Sequence, residues 1–111
     1  MVGGNGRQPR RQLPGLALAP QLWRHHPGEE VNYAVLGYDK VWFTRHAVLR
    51  MKQRRVSRED VFLVLEEPTR KGLNTQPGRH RWRRERTGRR AVDVVFEKWP
   101  DKLCIVTVIV L

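Results

Sequence analysis

The stretch FTRHAVLRMKQRRVSRED, Phe43 to Asp60, reads as one helix ending and a second beginning, and the fold follows from that reading. Thr44 is a suitable N-cap for a helix over 45–54, because its hydroxyl can accept from a backbone N–H of the first turn. Ser57 repeats the device for a helix over 58–66. With Asp60 at the third helical position it makes a variant capping box, and Val56 and Val61 have the spacing of a hydrophobic staple. Pro68 stops the second helix. The centre of that helix, VFLVL, is apolar all round and predicts the deeper burial of the two.

Outward from this pair, VNYAVLGYDKVWFT suggests two short extended pieces around a turn at GYDK. After Pro68 a polar connection, TRKGLNTQPG, leads to three strand-like runs: RHRWRRER (79–86), AVDVVFE (91–97) and LCIVTVIV (103–110). TGRR and KWPDK are short enough to be hairpin connections, which predicts a meander. The first run is polar on both faces, as an edge strand is. The last is apolar on both faces, as expected of a central or covered strand. The expected class is α+β, two N-terminal helices packed on an antiparallel sheet.

Residues 1–28, rich in Gly, Pro, Arg and Gln, show no sustained period and predict a mobile basic tail before a single domain over 29–111. Leu16, Leu18, Leu22 or Trp23 would rest on the domain, and the adjacent His25 and His26 are expected to be solvated, not metal-bound. The apolar core of LPGLALAP contains Pro14 and Gly15 and falls at the short limit of a signal h-region. No stretch approaches the roughly 20 apolar residues of a spanning helix. A soluble, cytoplasmic protein away from membranes is the expectation.

Of 111 residues, 22 are Lys or Arg against 11 Asp or Glu, a formal charge of +11, and mean hydropathy is −0.61 although 40% of residues are hydrophobic. Such an excess points to nucleic acid or an acidic protein as partner. The lone Cys104 excludes an internal disulfide and a cysteine metal cluster, and its apolar surroundings predict a small buried side chain. Phosphate-loop, dinucleotide-binding and G-x-S-x-G patterns are all missing. The carboxylates are scattered, so neither a metal centre nor any cofactor is expected.

Two basic surfaces remain. On the first helix His46, Arg50 and Arg54 fall within an arc of roughly 80°, beside the apolar arc of Ala47, Val48 and Met51. Three readings stay open: a solvated flank, a row of polyanion contacts, or part of an active site. His46 lies in the first turn, where the helix dipole disfavours imidazolium and leaves a neutral base. In RHRWRRER, alternation puts His80, Trp82, Arg84 and Arg86 on one face and Arg79, Arg81, Arg83 and Glu85 on the other. Trp82 among Arg81, Arg83 and Arg86, continued by Arg89 and Arg90, suits single-stranded nucleic acid by stacking and charge neutralisation. It equally suits a tryptophan packed on a helix beneath a soluble edge. Metal-free RNA cleavage needs a base, an acid and cations for the phosphorane charge, roles that His46, Arg50, Arg54 and Arg84 can fill between them.

FTRHAVLRMKQRRVSREDV, followed by LEEP and a closing VTVIV, resembles the domain-of-unknown-function family 4258, with its pattern H-A-x-x-R-M-x-x-R. That family is similar to RelE/ParE-like and BrnT-like bacterial toxins. The resemblance implies a toxin-like fold, a metal-independent ribonuclease acting on RNA, in some relatives on the ribosome, and a small acidic antitoxin partner. It carries His46, Arg50 and Arg54. ParE-like relatives act on a protein, so a non-enzymatic module with a nucleic-acid or protein target is the alternative.

Overall fold

The computed structural model describes residues 27–111. The expectations placed on Leu16, Leu18, Leu22, Trp23, His25 and His26, and the tail up to residue 26, lie outside the described residues. In chain order the elements are β1 (Glu29–Val35), β2 (Tyr38–Phe43), α1 (Arg45–Arg54), α2 (Arg58–Glu66), β3 (His80–Arg86), β4 (Arg89–Lys98) and β5 (Leu103–Val110).

Both helices begin and end through local chemistry. The Thr44 hydroxyl accepts from Ala47 N–H at 3.0 Å. Ser57 Oγ accepts from Asp60 N–H while Asp60 accepts from Ser57 N–H, each at 3.0 Å, closing the capping box. At the other end of α1, Arg55 adopts the left-handed conformation, φ 56°, and donates its N–H to Met51 O. Glycine usually takes that position because a Cβ there costs about 1 kcal/mol. α2 buries Val61, Phe62, Val64 and Leu65 but leaves Leu63 exposed, so it is not apolar-covered on every side.

The expected arrangement of two N-terminal helices on an antiparallel sheet is corrected on two counts. The helices follow a hairpin, β1–β2, instead of leading the domain. The sheet is mixed and five-stranded, ordered β1-β2-β5-β4-β3, with β2 and β5 running parallel. Val41 pairs with Leu103, Trp42 with Cys104 and Phe43 with Ile105. β5, apolar on both faces, takes the middle of this sheet, with a neighbour on each side over its first residues. β4 supplies one edge. β2 supplies part of the other and sinks Val41 and Phe43 into the core. The β1–β2 turn also moves, from GYDK to Leu36–Gly37, whose φ values of 52° and 83° give the two positive-φ residues of a tight hairpin turn. Arg89 and Arg90, expected in a turn, open β4.

The β4–β5 register shifts between Val95 and Phe96, pairing Val95 with Thr107 and Phe96 with Ile105, so Val106 is an extra residue in β5. The bulge resets the side-chain phase. Leu103 and Ile105 before it, and Val108 and Val110 after it, all pack into one core with the helices. α1 lies on β5 and β2, while α2 spans from β1 to β3 and β4. Phe62 anchors α2, stacked on Tyr33 at 3.8 Å between centroids and edge-on to Phe43 at 6.0 Å.

Candidate functional site

α1 lies beside the end of β5, and between them opens a cleft of about 300 Å3 lined by His46, Arg50, Arg54 and Thr107–Val110. Thr44 ties the two elements together. Its N–H donates to Ile105 O at 3.1 Å and its hydroxyl donates to Val106 O at 2.9 Å, on the bulge itself. The helix cap is therefore also the clamp that sets α1 against β5, and the row of three basic side chains faces the strand. Ala47, Val48 and Met51 are buried on the neighbouring arc, which keeps the row at the border between core and solvent.

Electrostatics in the cleft favour an anion. Among the described residues no carboxylate is paired with Arg50 or Arg54. Partial desolvation, with the Arg50 guanidinium adding to it, holds His46 below the usual histidine range. At neutral pH the cleft thus presents two cations and a neutral imidazole able to take a proton.

Arg84, grouped with those residues at the sequence level, is placed elsewhere. It donates from Nη1 to Glu67 O at 2.6 Å, beyond the end of α2, and does not line the cleft. The rest of β3 is largely occupied with its own neighbours. Arg81 and Arg83 both bind Asp93, through bonds of 2.7 Å from each Nε and 3.1 Å from Arg83 Nη2. The Asp93 side chain is 0% exposed. Burial alone would push that carboxyl up; the hydrogen bonds from Arg83 and Arg81 overcome it and leave Asp93 below the ordinary carboxylate range. Trp82 is half-buried, edge-on to Phe96 at 5.1 Å, with Lys71 Nζ 4.8 Å from its ring centre. Its indole is engaged in packing and a cation–π contact. Arg86 donates from Nε to Arg90 O at 2.7 Å, and its Nη1 is buried without a partner. Arg89 and Arg90 have exposed side chains.

Thr44 and the backbone of Thr107–Val110 were not legible as site components. VTVIV reads as core, and nothing in it shows that β2 stops pairing at Ile105. Asp93 could have been suspected as a carboxylate in the middle of the apolar run AVDVVF. Cys104 is buried and its thiol is pushed up to about 11 by burial, which keeps it protonated at neutral pH. Among the described residues no cluster of three or more His, Cys, Asp or Glu side chains is placed to hold a metal ion, and no helix is long and apolar enough to cross a membrane.

Fold and site together define a small α+β domain with a mixed five-stranded sheet and a basic cleft where α1 meets the central strand. Residues 43–110 match the family described as Domain of unknown function (DUF4258), and the chain belongs to that family. Comparison with curated proteins and with solved structures gives no match.

Proposed function

We propose that the α1–β5 cleft binds the phosphate backbone of RNA and that the protein is a toxin-like, metal-independent ribonuclease restrained by a small acidic protein. The observation that carries this is the convergence of His46, Arg50 and Arg54 on one cleft with both guanidinium groups free of carboxylates among the described residues. The segment's resemblance to family 4258 carries the same three positions, and the likeness of that family to RelE/ParE-like and BrnT-like toxins supports the toxin-like reading.

In the reaction, His46 takes the proton of a ribose 2′-hydroxyl, and the 2′ oxygen attacks the adjacent phosphorus. The P–O5′ bond breaks, O5′ takes a proton from solvent, and a 2′,3′-cyclic phosphate and a 5′-hydroxyl end result. Arg50 and Arg54 hold the phosphate and stabilise its added charge in the transition state. Arg84 has no part in this step, because it sits at the end of α2. A second function, RNA binding without cleavage, is favoured by one observation: among the described residues His46 is the one side chain lining the cleft that can exchange a proton near neutral pH, so no second group there serves as the acid.

The test is RNA integrity in a translating extract containing chelator, with the parent and His46→Ala compared. Cleavage by the parent alone, leaving cyclic phosphate ends, supports the ribonuclease. Intact RNA with both proteins, while single-stranded RNA still binds in a salt-dependent way, leaves the binding function.

A further inference from the structure

Four consecutive residues of β5 line the cleft, Thr107, Val108, Ile109 and Val110. Side chains of a strand alternate between faces, so an unbroken run can line one cleft only along its backbone edge. β2 pairs with β5 only through Ile105, and among the described residues no strand lies beside β5 beyond it on that side. Leu111 N–H donates to Ala91 O at 3.1 Å, which sets the alternation: Thr107 and Ile109 point their backbone groups at β4, while Val108 and Val110 point theirs into the cleft. Val108 O receives a long bond of 3.4 Å from Thr107 Oγ1. The molecule thus has a stretch of its central strand that no described strand pairs on the second side, with Val110 partly exposed and Val108 2% exposed, flanked by the Arg50–Arg54 row.

We propose that this edge is a docking site for an extended acidic peptide segment, which adds as a strand beside Thr107–Val110 and lays alternate carboxylates on Arg50 and Arg54. The proposal deepens the partner half of the function above and does not require that RNA be cleaved. An open strand edge offers donors and acceptors in alternation. An extended peptide matches both through its backbone, whereas phosphate oxygens by themselves only accept. Spacing agrees as well. Arg50 and Arg54 lie four residues apart on a helix, about 6 Å along its axis. Alternate side chains of a strand repeat at about 6.6 Å. A segment with Glu or Asp at every second position therefore meets the row in register, and it would exclude RNA from the cleft.

The experiment uses the full chain, labelled for amide hydrogen exchange, and a capped octapeptide of four Glu-Val repeats. Saturating peptide should slow exchange at Val108 and Val110 by about tenfold, with less than about twofold change at Thr107 and Ile109, which already bond to β4. The pair Arg50→Gln and Arg54→Gln should weaken binding by about fivefold or more. An octapeptide of four Lys-Val repeats should not bind. Binding with unchanged Val108 and Val110 amides, protection along Glu29–Val35 instead, or no binding at all overturns the proposal. So does protection of Val108 and Val110 by a short oligouridylate but not by the peptide. RNA cleavage by a protein that ignores the peptide would sink this proposal and leave the ribonuclease standing; the reverse pattern would do the opposite.

Discussion

Two arginine-rich segments, α1 and β3, carry the same kind of sequence signal and have opposite fates. On α1, Arg50 and Arg54 face a cleft with no carboxylate opposite them among the described residues. On β3, Arg81 and Arg83 close on the buried Asp93, and Arg84 caps a carbonyl beyond α2. Periodic arginines show which side of an element is polar. Whether the charge remains available depends on what the neighbouring strand presents, and that is a property of pairing. Arg83 stands opposite Asp93 in the β3–β4 register, so the sheet itself engages Arg81 and Arg83 while Arg89 and Arg90 stay exposed.

The largest expected effect breaks the β3 side of this contrast. Asp93→Asn leaves two guanidinium groups around an uncharged buried amide and should cost about 3 kcal/mol, measured by urea unfolding. The same group sets a pH dependence. Because its folded pKa lies below the ordinary carboxylate value, its contribution is complete above about pH 4 and is lost as pH falls through the folded value. The parent should therefore lose stability on acidification in a way that the Asn variant does not. Should the variant unfold like the parent at every pH, Asp93 is not what holds β3.

Thr44→Val comes next. It removes the cap on Ala47 N–H and the clamp on Val106 O together, with an expected loss of about 2 kcal/mol. Faster amide exchange at Ala47 would show that the helix start has frayed. An unchanged midpoint would mean that α1 is held against β5 by packing alone.

On the α1 side stability should hardly move. Arg50→Gln with Arg54→Gln is expected within about 0.5 kcal/mol of the parent. The slope of log affinity against log salt for single-stranded RNA should flatten by about 1.4, two contacts at about 0.7 each. Arg84→Gln should leave that slope alone, and a larger change from Arg84 than from the α1 pair would invert the comparison. The smallest effect is at His46. Its titration, followed by NMR, should have a midpoint below the ordinary 6.5, and Arg50→Gln should raise it. Because the folded form binds its proton less readily than the unfolded chain, its contribution to stability fades as pH falls from about 6.5 through the folded midpoint.

The bounds of α1 and α2 and both N-caps could be read directly from Thr44, Ser57, Asp60 and Pro68, because a capping bond closes within three residues and depends on nothing distant. The basic row was legible for the same reason, as a matter of helical period; the doubly apolar β5 could be read as central or covered, and the sheet order makes it central. Helix order in the domain and the mixed sheet were not. A strand's alternation is the same whichever neighbour it pairs with and in whichever direction, so nothing local in VWF or LCI announces their parallel pairing. Thr44 and Val106, 62 residues apart, meet only once the chain has crossed back over the sheet. The bulge at Val106, the cover given to Arg81 and Arg83 by Asp93, and the open edge of Val108 and Val110 all follow from that return. Local hydrogen bonds wrote the helices into the amino-acid order; the register of strands far apart in the chain decided which arginines stayed free and where the cleft would lie.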